Sequence, residues 1–226
     1  MTGFIAALLL PWILGISWLS LLGSRMNWQI VAGYGYVLGI VVTTLLIRGW
    51  DFFGLSLSFW NMAIFIAILA IIPLLLQRYL VSPQDTRPML HTKLVIGWKK
   101  WLFVFLLSLL AIRYIGIFFE IIWLPLYPWD AWMNWAPKAK IWFELNELVP
   151  FVSPGHWLSG EQVGYTLGNR EAWPYPPAIP LIQFWSALGL GEWRDDWINI
   201  PWLFCCIALG LGFYGQARLM NVAPHT

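Results

Sequence analysis

Three long stretches near the start of the sequence contain no charged side chain, and this feature most constrains what the chain can fold into. They are residues 1–24, 26–47 and 52–77. A helix that crosses the roughly 30 Å hydrocarbon core of a membrane needs about 20 consecutive apolar residues, because lipid offers the backbone no hydrogen-bond partners. The pattern therefore predicts transmembrane helices near residues 4–22, 29–47 and 56–77.

Three more apolar segments follow. A fourth span is predicted over residues 101–120, and since its central Arg113 needs a carboxylate or a water-filled cavity, we expect this span to face protein rather than lipid. The run from Ala178 to Gly191 is marginally long enough to cross, and the run from Trp197 to Ala217 is longer. With 60% hydrophobic and 11% charged residues, a soluble globule is excluded. The predicted fold class is an all-α, polytopic transmembrane protein with about six membrane segments.

The charges between the third and fourth spans predict the orientation. This loop contains five basic residues and one acidic residue: Arg78, Arg87, Lys93, Lys99, Lys100 and Asp85. By the positive-inside rule the loop is cytoplasmic, which places the N-terminus on the other side. The predicted organisation is four transmembrane helices in 1–120, a non-cytoplasmic loop in 121–175 and two further membrane segments in 176–226. The net charge of +2 is too small and scattered for a nucleic-acid surface.

The stretch from Trp129 to Leu148 predicts amphipathic helices in the outer loop. At about 100° per residue it separates into an apolar and a polar side. The apolar side has Ala131, Trp132, Trp135, Ala136, Ala139, Trp142 and Phe143, and the polar side has Asp130, Asn134, Lys138, Lys140, Glu144 and Glu147. This pattern is typical of a helix whose aromatic face lies in the acyl boundary of a membrane. Because proline lacks an N–H, we expect two short helices, with Pro137 as the first residue of the second.

Asp130 is the candidate catalytic residue. It directly follows the proline-containing exit from the fourth span and is flanked by Trp129 and Trp132. A carboxylate in partly desolvated surroundings has a raised proton affinity, which suits a general base that deprotonates an acceptor hydroxyl. The alternative is an N-cap, since an aspartate at a helix start satisfies free backbone N–H groups. One residue can serve both roles.

Lysines and aromatic residues near Asp130 are candidates for substrate binding. Lys138 and Lys140 share the predicted polar side, where two ammonium groups could hold a phosphate, although interfacial lysines also bind anionic headgroups without specificity. Trp173 and Tyr175, in a segment that prolines hold extended, could stack on a sugar, as could Trp132 beside Asp130. The alternative is an aromatic belt, which places such residues at this depth without any ligand.

Other charged and small residues receive structural interpretations. Glu120, at the end of the fourth span, is expected to offset the charge of Arg113. Gly35 and Gly39 have the spacing that lets membrane helices approach closely. His156 and Glu161 form only a weak pattern for a metal site. No cofactor is predicted, and a divalent metal is left open.

Two motifs in the second half resemble the first outer loop of bacterial GT-C membrane glycosyltransferases, the class that includes protein mannosyltransferase-like and lipopolysaccharide-modifying enzymes. They are WDAWMNWAPKAKIWFE, residues 129–144, and YPPAIPLIQFWSALGLGEW, residues 175–193. The resemblance covers roughly residues 120–218. It departs from the family at Ala131, where many members have a second acid, and in the three spans that precede the usual first span.

The resemblance implies transfer of a sugar from a polyprenyl-phosphate donor to an acceptor on the non-cytoplasmic side of a bacterial cytoplasmic membrane. Asp130 maps to the family's outer-loop acid, and Lys138 and Lys140 are candidates to stabilise the departing phosphate. No nucleotide sugar is expected to bind. Because family chains are much longer, the sequence is expected to be the N-terminal part of a longer enzyme, with a missing C-terminal half or a partner subunit.

Two other functions remain open. The first is a non-catalytic membrane subunit that binds a lipid-linked sugar or a partner protein through the same loop. The second is a component of a transporter or flippase, which is disfavoured because Arg113 is nearly the only charged residue within the spans.

Overall fold

The computed structural model of the chain describes residues 1–22, 26–80, 97–127 and 129–220. The α-helices of the described residues are α1 (Thr2–Leu22), α2 (Trp28–Phe52), α3 (Phe59–Leu80), α4 (Trp98–Trp123), α5 (Ala136–Leu145), α6 (Pro154–Ser159), α7 (Ala178–Leu190) and α8 (Ile200–Leu219). A π-helix, Ala131–Trp135, directly precedes α5. Within the described part, β-structure is limited to an isolated bridge between Phe151 and Tyr165.

Among the described residues, five helices are long and apolar enough to cross a membrane, namely α1, α2, α3, α4 and α8. They correspond to the spans predicted from the apolar runs. The fold class is confirmed: the chain is an all-α, polytopic integral membrane protein. Of the loop that gave the predicted orientation, Asp85, Arg87 and Lys93 lie outside the described residues.

Glycines bring α1, α2 and α8 into close contact. A Cβ at Gly39 would collide with the carbonyl oxygen of Pro11, and one at Gly15 would collide with that of Gly35. A Cβ at Gly33 of α2 would likewise collide with the backbone of Gly212 in α8. The predicted role of the glycines in helix packing is therefore confirmed.

The helix ends define two ends of the bundle. Ile200, at the start of α8, packs with Phe4 of α1, and Ile121 of α4 joins the same cluster. We call this the loop end, because residues 121–200 begin and finish here. At the opposite end, Asn27 donates a hydrogen bond to the carbonyl of Gly215 at 3.0 Å.

The fifth apolar segment, predicted from Ala178 to Gly191, does not cross the bundle. With 13 residues, α7 is only about 20 Å long, too short for the hydrocarbon core. Its first half, at Leu181, lines a cleft with Arg48 of α2, and its last turn, at Gly189, lies against Gly3 of α1. Both ends therefore lie at the loop end, and α7 is buried among α1, α2, α3 and α5.

The position of Arg113 differs from the prediction. α4 packs mainly on α8, where Tyr114 donates to the carbonyl of Cys206 at 3.1 Å. Arg113 lies on the uncovered side, with 63% of its side chain exposed, and pairs with Glu120 at 3.1 Å. The expected contact with protein is thus wrong for the described residues, whereas the expected pairing with Glu120 is confirmed.

The predicted amphipathic segment forms helices, but its apolar side packs against protein. Ala136, Ala139 and Trp142 are buried, and α5 packs on α7. The prediction that this face lies in lipid is therefore wrong for α5. The predicted break at Pro137 is not found: the backbone is helical from residue 129 to Leu145, and Pro137 lies in the first turn of α5, directly after the π-helix. That the preceding turn is a π-helix was not predicted.

Candidate functional site

Asp130 lies at the start of the π-helix and is exposed. Its carboxylate accepts hydrogen bonds from the side chains of Asn134 and Trp135, the latter at 2.7 Å. The i→i+5 bonding of a π-helix stacks residue 135 over residue 130, so that both donors reach one carboxylate. The expected desolvation is not found, and the side chain makes no N-cap hydrogen bond.

A buried asparagine connects Asp130 to the following loop. Asn134 is 1% exposed, and its side-chain oxygen accepts a hydrogen bond from Asn169 at 2.8 Å. Asn169 is held in turn by the backbone N–H of Glu171 at 3.1 Å. The i, i+4 spacing of Asp130 and Asn134 is a signal for this contact in the sequence, but no local pattern reveals Asn169.

Lys138 is buried, with only 2% of the residue exposed. Its ammonium donates to the carbonyl oxygens of Trp173 and Tyr175, each at 3.0 Å, and lies 5.7 Å from the ring centre of Phe151. Both carbonyls belong to the proline-rich segment before α7 and are not used in a helix. Burial without a carboxylate partner penalises the charged form and lowers the pKa of Lys138 to about 8.

The predicted pairing of Lys138 with Lys140 is wrong. Lys140 is exposed, whereas Lys138 is buried against the segment that contains Trp173. Residues two apart on an α-helix lie about 200° apart, so both ammonium groups cannot face one ligand. The second cation near Lys138 is instead Arg48, at the end of α2, which the sequence analysis did not assign to the site.

A cleft of about 620 Å³ opens beside Lys138. We call it the lysine cleft, and its lining includes Arg48, Asp51, Lys138, Trp142, Trp173 and Tyr175. Asp51 accepts a hydrogen bond from the backbone N–H of Leu148 at 3.3 Å, which ties the end of α2 to the loop after α5. Two cations and one carboxylate leave this cleft with a net positive charge.

An aromatic pair joins Asp130 to the lysine cleft. The rings of Trp135 and Tyr175 lie 5.3 Å apart, centre to centre. Trp135 holds the carboxylate of Asp130, and the carbonyl of Tyr175 holds the ammonium of Lys138. Asp130 and Lys138 are thus linked through Trp135 and Tyr175, and Trp173 supplies the second carbonyl that binds Lys138.

Trp132 lies apart from this arrangement. It is exposed and does not contribute to the lining of the lysine cleft. Its predicted role in substrate binding therefore has no contact in the cleft to support it.

The weak metal pattern gains no further ligand within the described part of the chain. His156 lies 3.8 Å from Glu161 on the surface. Across residues 1–22, 26–80, 97–127 and 129–220, no group of three His, Cys, Asp or Glu side chains could hold a metal ion.

Comparison with known proteins identifies no relative of the chain. Neither a protein-family model, nor a curated protein, nor a solved structure matches it. The function is therefore inferred from the geometry of the site.

Proposed function

We propose that the chain is a GT-C-like membrane glycosyltransferase that moves a sugar from a polyprenyl-phosphate donor to an acceptor hydroxyl on the non-cytoplasmic face of a bacterial cytoplasmic membrane. The observation that carries the proposal is the contact between Trp135 and Tyr175. This contact links Trp135, which donates to the carboxylate of Asp130, to Tyr175, whose carbonyl accepts from the buried ammonium of Lys138. Inverting sugar transfer from a phosphate uses a base to deprotonate the acceptor hydroxyl and a cation to stabilise the departing phosphate.

In the proposed reaction Asp130 is the general base. Its carboxylate takes the proton of the acceptor hydroxyl as the oxygen attacks the anomeric carbon of the donor. The bond between that carbon and the phosphate oxygen breaks, and the electron pair leaves with polyprenyl phosphate. The hydrogen bonds from Asn134 and Trp135 fix the direction of the carboxylate, and the proton on Asp130 then passes to water.

In the same reaction Lys138 stabilises the leaving phosphate. An ammonium has three N–H groups, and two of them donate to the carbonyls of Trp173 and Tyr175. The third is left for a ligand in the lysine cleft. Buried donors are worth more to a developing anion than exposed ones, because water does not screen them. Arg48 supplies a second positive charge in the same cleft.

The test is an assay of the full chain in membranes with a panel of prenyl-phosphate sugars, in which release of prenyl phosphate is measured. Lys138→Met is compared with Lys140→Met, the exposed neighbour in the same helix. Loss of a charge-assisted hydrogen bond should weaken donor use about ten- to a hundredfold in Lys138→Met. Lys140→Met should resemble the unmodified chain. Equal effects of the two variants would contradict the role given to Lys138.

The second candidate function is a non-catalytic subunit, which the uncovered side of α4 favours. An exposed ion pair such as Arg113 with Glu120 is costly within a bilayer, and a partner helix would relieve that cost. A subunit would bind a prenyl-phosphate sugar with the same dependence on Lys138 but would release no prenyl phosphate. The assay above therefore separates the two functions.

A further inference from the structure

A second cleft lies on the other side of the aromatic pair. Its volume is about 510 Å³, within the range of sites for small molecules. It lies between the end of α4, the π-helix, α7 and the start of α8. We call it the glutamate cleft, and its lining includes Ile117, Glu120, Leu124, Trp135, Gln183 and Asn199. Trp135 lines this cleft, and Tyr175, whose ring is tilted by 41° against that of Trp135, lines the lysine cleft.

The glutamate cleft has an unused hydrogen-bond acceptor. Gln183 is 2% exposed, and its side-chain N–H donates to the side-chain oxygen of Asn199 at 2.9 Å. Among the described residues, the side-chain oxygen of Gln183 is buried with no hydrogen-bond partner. An unpaired buried acceptor destabilises the folded protein by about 1–3 kcal/mol. A ligand that donates an O–H to this oxygen would remove that destabilisation.

The charged group that lines this cleft is an acid, whereas two of the three charged groups that line the lysine cleft are basic. This acid is Glu120. One oxygen of its carboxylate accepts a hydrogen bond from Arg113 at 3.1 Å. The N–H of Trp135 is committed to Asp130, while the amide of Asn199 can still offer a donor. A hydroxyl both donates and accepts, so it suits these groups, whereas an anion would meet a carboxylate.

We propose that the glutamate cleft binds an amphiphile that presents a hydroxyl group and bears no negative charge. The apolar walls from α4, such as Ile117 and Leu124, accommodate its hydrocarbon part, and Gln183 with Asn199 binds its hydroxyl. Trp135, which lines the cleft, donates its N–H to the carboxylate of Asp130 outside the lining. A role of this ligand as the sugar acceptor rests on the proposed function, but its binding does not.

The experiment uses the purified full chain in phosphatidylcholine nanodiscs and two photoreactive probes, diazirine-bearing hexadecanol and diazirine-bearing hexadecyl sulfate. Labelled peptides are located by mass spectrometry. The alcohol should label the peptides around Leu124 and Asn199 saturably, and at least about fivefold more than the sulfate. Labelling that does not saturate, or that the sulfate matches, would overturn the proposal.

Two variants test the groups that select the ligand. Gln183→Leu should lower saturable labelling by the alcohol about three- to tenfold, the worth of one hydrogen bond. Gln216→Leu, an exposed glutamine on α8, is the matched control and should label as the unmodified chain. Glu120→Gln should raise labelling by the sulfate. Unchanged labelling in both Gln183→Leu and Glu120→Gln would sink the proposal even if one of them folded poorly.

A third variant separates this inference from the proposed function. Asp130→Asn should keep the labelling pattern, because Asp130 does not line the cleft. If no prenyl-phosphate sugar is a donor but the alcohol labels as stated, the cleft stands and the glycosyltransferase proposal fails. If transfer occurs and the alcohol does not label, the assignment of the cleft fails alone.

Discussion

At the scale of single residues, Lys138 differs most from its interpretation in the sequence. The pattern placed it with Lys140 on a water-facing side, yet Lys138 is buried and Lys140 is exposed. The helical spacing alone argues against a shared ligand. What buries Lys138 is the segment around Trp173, 35 residues later in the chain. Local periodicity cannot reveal such a contact, because only the tertiary fold brings the two segments together.

The lowered pKa of Lys138 predicts a pH dependence of anion binding. The ammonium is charged below a pH of about 8 and neutral above it, so affinity for an anion should be full at pH 7 and fall as the pH rises through 8. The other charged groups that line the lysine cleft are Arg48 and Asp51.

The measurement is binding of farnesyl phosphate to the purified chain by calorimetry between pH 7 and 9.5. Over this range the phosphate keeps its charge, because its second ionisation lies near pH 6. The affinity of Lys138→Met should be low and independent of pH, while Lys140→Met should follow the unmodified chain. A flat profile for the unmodified chain would contradict the assignment of the ammonium to the cleft.

Trp135 carries a prediction about the direction of the carboxylate. Trp135→Phe keeps an aromatic ring against Tyr175 but removes the N–H that donates to Asp130. Sugar transfer should fall about tenfold, the worth of one charge-assisted hydrogen bond. Trp157→Phe, at an exposed position in α6, should leave transfer unchanged. Equal rates for the two variants would show that the hydrogen bond does not matter.

At the scale of elements, the sequence predicted the long helices well and the short ones in part. Charge-free runs predict α1, α2 and α3, because lipid and a protein core both demand apolar side chains over that length. The same reasoning could not settle α7, since an apolar run of 14 residues looks alike whether it crosses or lies buried. Gln183, a polar residue in this run that donates a hydrogen bond to Asn199, fits a helix buried in protein better than one that crosses the membrane.

The close approach of α1 and α2 gives a prediction at this scale. Gly39→Ala should destabilise the bundle by about 1–3 kcal/mol, because the new methyl group collides with the backbone at Pro11. Gly49→Ala, in the same helix but with open space around the methyl group, should be neutral or slightly stabilising. Thermal unfolding in detergent compares the two. A Gly39→Ala variant as stable as Gly49→Ala would contradict the packing.

At the scale of the whole molecule, the five described helices that are long enough to cross a membrane place the site residues at one end of the bundle. Lys138 of α5 and Arg48 of α2 line the lysine cleft, and Asp130, directly before the π-helix, is linked to this cleft through Trp135 and Tyr175. The sequence predicted the chemical types of the site, an acid and a basic residue near aromatic side chains. It did not predict the residues that join them, such as Asn169 and Arg48, because these are distant in the chain.

The five-crossing arrangement predicts the sides of two positions. In a background without Cys205 and Cys206, Val163→Cys marks the loop end and Leu219→Cys marks the end of α8. A membrane-impermeant maleimide should label these positions from opposite sides of the membrane. If α7 also crossed, the two cysteines would lie on the same side of the membrane. Labelling of both cysteines by reagent added to one side only would therefore refute the arrangement.

The most direct test of the central claim is sugar transfer by Asp130→Asn in membranes, with Asp195→Asn as control. Asp195 is also exposed and also accepts a tryptophan N–H, at 2.5 Å. Because a general base contributes about 10²- to 10⁴-fold, transfer by Asp130→Asn should fall by that factor while farnesyl phosphate still binds. Asp195→Asn should keep full activity. Undiminished transfer by Asp130→Asn, from a donor that the unmodified chain uses, would contradict the account.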